Sequence, residues 1–177
     1  MNKSMVACVS ICLCLLFSAT CFAGNTFRHP FANPVLTITF PDSWPVKQDP
    51  DAQAGIIANS PDEEIEIDLW ALDNKEVQQN PQKALDDAVR EVAGLIIYWV
   101  DDFNTEETER FSLNGIDFYE LSGTAKDKED GSPVKVVAHF FTPDNKTIFV
   151  MMYWGAEDAE AKYASDLGAI AKSIRKP

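Results

Sequence analysis

Three carboxylates stand two residues apart in the run Glu64-Ile65-Glu66-Ile67-Asp68-Leu69-Trp70. Strict alternation is the pattern of a strand with one buried face, so Ile65, Ile67 and Leu69 share one side and Glu64, Glu66, Asp68 and Trp70 the other. Successive acids on that side stand roughly 7 Å apart. Such a row has the chemistry to grip a divalent cation or to pose carboxylates for proton transfer, and it is also what the solvated face of an amphipathic strand looks like. Trp70 continues the row, and Trp44, in the turn Ser43-Trp44-Pro45, is a second large aromatic placed to join it. An exposed tryptophan beside acids suits a basic or amphipathic partner; the alternative for either indole is a place in the core under a helix. The candidate binding set is therefore Trp44, Glu64, Glu66, Asp68 and Trp70.

Other chemistry tests poorly. Asp127-Lys128-Glu129-Asp130-Gly131-Ser132 resembles a calcium loop at a glance. An EF-hand needs Gly at position 6 and Glu at position 12, and here those places hold Ser132 and Ala138. A solvated turn is the better reading. The two histidines are His29, in a proline-rich stretch, and His139, in an apolar run that reads as a strand with a satisfied histidine in it. There is no Gly-x-Ser-x-Gly, His-Glu-x-x-His, phosphate loop or dinucleotide fingerprint. No catalytic residue, metal site or cofactor is assigned, and the expectation is a protein that is not an enzyme.

The elements that must position these residues begin after an export signal. Lys3 precedes an apolar run from Met5 to Phe17, and small residues lead to Cys21-Phe22-Ala23. This is the order of a cleavable secretion signal over residues 1–23, with cleavage expected after Ala23. The apolar run is short for a membrane-spanning helix, so no stable membrane insertion is expected after processing. A lipoprotein modified at Cys21 is the alternative; Ser18-Ala19-Thr20 puts polar residues where such a motif wants Leu. All four cysteines (Cys8, Cys12, Cys14 and Cys21) fall in the signal, so the mature chain has neither disulfides nor thiol chemistry. Removal of Lys3 changes the net charge from −13 to −14. A surface that acidic repels phosphate backbones and argues against nucleic-acid binding. A periplasmic or secreted location in a bacterial host follows.

Beyond an arm over residues 24–34, residues 35–177 read as a single domain. Val35–Phe40, Ala54–Asn59 and Glu64–Trp70 are strand-like. Asn80-Pro81 is an N-cap with proline at the first helical position, and Leu85, Ala88, Val89, Val92, Leu95, Ile96 and Trp99 mark one apolar stripe of a helix to about Tyr98. Strands follow over Thr105–Leu113 and Ile116–Ala125, joined by Asn114-Gly115, a strong two-residue hairpin signal. Val134–Thr142 and Thr147–Trp154 are apolar at consecutive positions, as strands covered on both faces are. A helix from about Glu157 to Arg175 closes the chain, its acids early and its bases late. The expected fold is α+β, an antiparallel sheet of about six to seven strands flanked by helices.

Four landmarks carry a resemblance: Phe40-Pro41-Asp42-Ser43-Trp44 after an early strand, the acidic alternating strand Glu64–Trp70, the Asn114-Gly115 hairpin after the first helix, and a terminal helix ending near Ser173-Ile174. In this arrangement the chain resembles the superfamily of the photosystem II extrinsic subunit PsbP and the Ran-binding Mog protein, with the bacterial envelope proteins similar to DcrB. The resemblance covers nearly the whole mature chain. It implies an α/β/α sandwich used to bind proteins, generally without catalysis, and it carries no site residues over. The function expected is a non-enzymatic envelope protein that binds another protein through a sheet face or cleft; the alternative is a small-ligand or divalent-cation binder, or a hydrolase, using the acidic strand face.

Overall fold

The computed structural model describes residues 24–30, 33–48, 55–72 and 76–177, so the signal, its cysteines and Ala54 lie outside the described residues. The elements run β1 (Gly24–His29), β2 (Leu36–Pro41), β3 (Val46–Gln48), β4 (Ile56–Asn59), β5 (Ile65–Leu72), α1 (Pro81–Ile96), β6 (Val100–Leu113), β7 (Ile116–Asp127), β8 (Pro133–Phe141), β9 (Ile148–Ala156) and α2 (Glu157–Ser173). Seven strands form one antiparallel sheet in the order β3-β4-β5-β9-β8-β7-β6. The fold is α+β with covered faces on both sides of that sheet.

Each face has its own core. On one side α1 lays Ala84, Leu85, Ala88, Val92 and Ile96 over Val134, Val136, Ala138 and Phe140 of β8 and Val150 and Met152 of β9. On the other, α2 and a β1–β2 hairpin cover Ile65, Ile67, Leu69, Val137, Phe141, Phe149 and Met151. Strands β8 and β9 are buried at nearly every position because both layers press on them.

Two findings depart from expectation. The stretch Gly24–His29 is not a loose arm: it pairs along its whole length with β2, from Gly24↔Pro41 to His29↔Leu36. And β2 leaves the main sheet altogether, held down at its far side by Thr37, whose backbone exchanges hydrogen bonds with Arg175 at 2.8 and 3.1 Å. GNTFRH has no alternating apolar pattern, so its pairing comes from the neighbour and not from its own sequence.

Local signals act as read. Asn80 caps α1, its side chain accepting from Lys83 N at 3.1 Å, with Pro81 behind it. Asn114 and Gly115 both take positive φ, 53° and 72°, the geometry a tight two-residue hairpin demands. Asn114 does a second job: Nδ2 donates to Lys172 O at 2.8 Å and Ile174 O at 2.7 Å, closing the carboxyl end of α2. Asn114→Ala should therefore cost about 2–3 kcal/mol in a urea unfolding series, from left-handed strain plus lost hydrogen bonds. Asn114→Gly, which keeps the turn and loses only the bonds, should cost roughly half that.

Candidate functional site

The alternation of β5 places Ile65, Ile67 and Leu69 at full burial against the α2 layer, so Glu66, Asp68 and Trp70 turn to the α1 side. Helix α1, however, sits over β8 and β9 and leaves the β4–β5 flank of this face open. Across the strands, Asp68 stands beside Ile57 and Met152, Glu66 beside Asn59 and Trp154, and Trp70 beside Val150. The turn that follows α1 brings Trp99 back over this flank. The result is a cleft of about 330 Å³ lined by Ile57, Asp68, Trp70, Leu95 and Trp99. Gly55 at its rim permits a close approach, since a Cβ there would stand 2.2 Å from Leu69 O.

Asp68 is the charged group in that apolar setting. Its Oδ1 is buried and has no hydrogen-bond partner among the described residues. Burial, and then the neighbouring charge of Glu66, push its carboxyl up to about 6. A buried carboxylate with nothing to accept from is costly, and a donor or cation delivered from outside completes it. Next to it, Glu66 borders an open, mainly acidic basin of about 900 Å³ with Glu63, Glu64, Asp127, Glu129, Asp130 and Lys47 around Trp154. Asp127 and Asp130 spend oxygens on their own turn, accepting from Glu129 N at 2.7 Å and Ser132 N at 2.8 Å. Among the described residues no group of three or more His, Cys, Asp or Glu side chains is arranged to hold a metal ion.

The five residues singled out in the sequence do not form one site. Glu66, Asp68 and Trp70 share the α1-side face. Glu64 precedes the strand; it and Asp62 both take Lys162 of α2, Glu64 at 2.8 Å, in an ion cluster that ties α2 to the β4–β5 turn. The Lys162 ammonium holds the Asp62 carboxyl well below its usual range, and the two acids in turn raise Lys162. Trp44 lies on the opposite side of the sheet, 2% exposed. Its indole donates to Asp166 Oδ2 at 3.1 Å and meets Tyr163 edge-on, so it anchors α2 and offers no surface to a partner.

Trp99, Leu95 and Ile57 complete the cleft and were not legible as site residues. Helical spacing puts Trp99 in the buried stripe of α1, but the helix stops at Ile96 and Trp99 is 39% exposed. The signal was the crowded run Ile97-Tyr98-Trp99 before Asp101-Asp102, acids that repel a helix carboxyl end. His139 also differs from a satisfied sheet histidine: Nε2 meets Glu120 Oε2 at 2.8 Å, and Nδ1 is buried without a partner among the described residues.

No protein-family model matches the chain, and no curated protein matches it by sequence. Solved structures do. The solution structure of cyanobacterial PsbP (CyanoP) from Synechocystis sp. PCC 6803 superposes with a TM-score of 0.65 at 10% identity, covering 98% of this chain and 99% of that one. LpqN of Mycobacterium tuberculosis, involved in cell envelope biogenesis, gives a TM-score of 0.56 at 16% identity, with 87% of this chain and 90% of its own covered. A Bacteroides thetaiotaomicron protein gives 0.59 at 13% identity over 87% of this chain, which matches 48% of it. At these identities the likeness is one of fold: the chain has the PsbP-like α+β fold. No helix among the described residues is long and apolar enough to cross a membrane.

Proposed function

We propose that this is a non-enzymatic, extracytoplasmic protein that binds another protein in the cleft between α1 and the β4–β5 flank. The partner segment presents an apolar side chain to Trp70 and Trp99, a Lys or Arg to Asp68, and further basic residues to the acidic basin beside Glu66. One observation carries this reading. The exposed large hydrophobics among the described residues are Ile57 (39%), Ile97 (58%), Tyr98 (70%) and Trp99 (39%), and all four belong to the cleft or to the turn that walls it. Apolar side chains gathered at one exposed place mark an interaction surface. Charge complementarity to a chain of net −13 favours a basic partner. The envelope context of LpqN and the PsbP-like fold of CyanoP support the extracytoplasmic setting.

The test is crosslinking of the tagged protein in its own cells, with mass spectrometry of what is captured. One recurrent envelope protein is expected with the wild type. Trp99→Ala should weaken that complex at least tenfold in a titration with the purified partner, with unfolding unchanged, because Trp99 is half out of the core. Equal affinity for wild type and Trp99→Ala would remove the cleft from the interface. Stabilisation by millimolar divalent cation, with no complex recovered, would instead favour an ion-binding role for the acidic face.

A further inference from the structure

The second cavity of interest lies on the opposite side of the sheet, beneath α2. That helix lines an open groove over β5, β8 and β9 with a stripe of small residues, Ala161, Ala164, Gly168 and Ala171, of which Ala161 and Ala164 are exposed. Only Ala159 and Ile170 of α2 are fully buried, and a Cβ added at Gly168 would meet nothing within 4 Å. A cavity of about 410 Å³ results, floored by Ile67 and Met151 and walled by Leu167. Volumes of this size hold small organic ligands.

One end of the cavity is polar, and its polarity has a definite sense. His139 lines it and is nine-tenths buried along its side chain. Glu120 accepts from His139 Nε2 at 2.8 Å, and that hydrogen bond holds the Glu120 carboxyl below its usual range. An ionised carboxylate can only accept, so Nε2 carries a proton, and the tautomer with that proton alone presents Nδ1 as an acceptor. No donor among the described residues meets it. The Tyr153 hydroxyl already donates a hydrogen bond to Glu160 Oε1 at 2.9 Å. Glu157 and Glu160 stand at the same end. Lys135, outside the lining, is shared between Glu160 at 3.8 Å and Glu106 at 4.0 Å. Carboxylates therefore converge here, and Lys135 answers Glu160 only from outside the lining.

We propose that this cavity is a binding site for a small amine with an apolar body, its ammonium donating to His139 Nδ1 and the Glu160 carboxylate and its hydrocarbon lying along Ile67, Met151 and Leu167. A carboxylate or phosphate head would bring acceptors and negative charge to a place that already has both. An alcohol would satisfy Nδ1 and gain nothing from Glu160. The site is on the other face of the sheet from the partner cleft, and the two stand or fall separately.

Hexylamine, hexan-1-ol and hexanoate, titrated into the isotope-labelled protein and followed through backbone amide resonances, distinguish these cases. Hexylamine should give saturable shifts at α2, β8 and β9 amides with a Kd at least tenfold below that of hexanoate, and hexan-1-ol should fall between. Gly168→Leu, which fills the cavity and suits a helix, should abolish the shifts while the fold is retained. Glu160→Gln should weaken hexylamine several-fold and leave hexan-1-ol unchanged; Trp99→Ala should leave both unchanged. No saturable binding of any probe, binding that survives Gly168→Leu, or hexanoate binding as tightly as hexylamine would each overturn the assignment.

Discussion

Phe141→Ala should lower the unfolding free energy by about 3–5 kcal/mol, read as a fall in the urea midpoint with the slope unchanged. Phe141 is fully buried and lies within an aromatic ladder that crosses the sheet from edge to hairpin. Phe111 stacks on Phe118 at 5.2 Å, Phe118 on Phe141 at 4.7 Å and Phe141 on Phe149 at 5.8 Å, and His29 of β1 meets Phe149 edge-on at 5.5 Å. Truncation at the centre leaves a void between two stacked partners that belong to different strands, so the ring's space cannot close by moving one side chain. Each aromatic contact adds about 0.5–1.5 kcal/mol beyond buried area. A domain of this kind has about 5–15 kcal/mol in total, and the described residues contain no cysteine with which to cross-link. Phe141→Leu, which keeps most of the volume and loses the stacking, should cost about 1–2 kcal/mol. A loss under about 1 kcal/mol for the alanine variant would mean that the neighbours collapse onto the space, and the ladder would not be the element that ties β1 to the sheet.

The same ladder explains what could be read from the sequence. Period and propensity report on a strand's own faces, so the alternation of β5 and the two-sided burial of β8 and β9 were plain. They do not report which layer a strand joins. Val35–Phe40 reads as a strand, yet nothing within it says that it leaves the main sheet to pair with Gly24–His29 and seat His29 against Phe149. His29 is 3% exposed, its pKa lowered by that burial, although its sequence neighbourhood suggests a loose end.

The candidate site was legible to the same degree. Face alternation correctly groups Glu66, Asp68 and Trp70. Glu64 lines the basin together with Glu66, but it precedes the strand, which begins at Ile65, and Lys162, 98 residues away, takes its carboxylate. The alternation fails at Trp44 because a turn has no period, and the face it meets is fixed by Asp166 and Tyr163 of α2. Trp99 needed knowledge of where α1 stops, a boundary set by the acids after it as much as by its stripe.

Asp68→Asn should stabilise the protein at pH 7 and weaken its complex, and the pair of effects is more informative than either. The native carboxyl holds its proton to about pH 6, whereas the ordinary value for the side chain is 3.8. Between those values the native state binds more protons than the unfolded one, so this group's contribution falls as pH rises through the window and stays low above it. Two units correspond to about 3 kcal/mol at most; Asp68 is only partly buried, and solvent screening reduces this to about 1–2 kcal/mol. Asparagine removes the charge at nearly constant shape. The variant should therefore gain about 1–2 kcal/mol over wild type in urea unfolding at pH 7, and the gain should vanish near pH 3.5, where both side chains are neutral. His29 acts in the opposite sense, since a lowered pKa disfavours the native state as pH falls below 6.5, but it is common to both proteins and cancels in the difference. If the cleft receives a Lys or Arg from the partner, the same substitution should cost about tenfold or more in affinity, with the loss concentrated in the dissociation rate. A charge that destabilises the free protein and strengthens the complex is one held in place for binding. Unchanged stability at pH 7 would mean that Asp68 already has water or a counter-charge in the free state. Raised stability with unchanged affinity would leave Trp70 and Trp99 as the recognition elements and take the cation out of the partner.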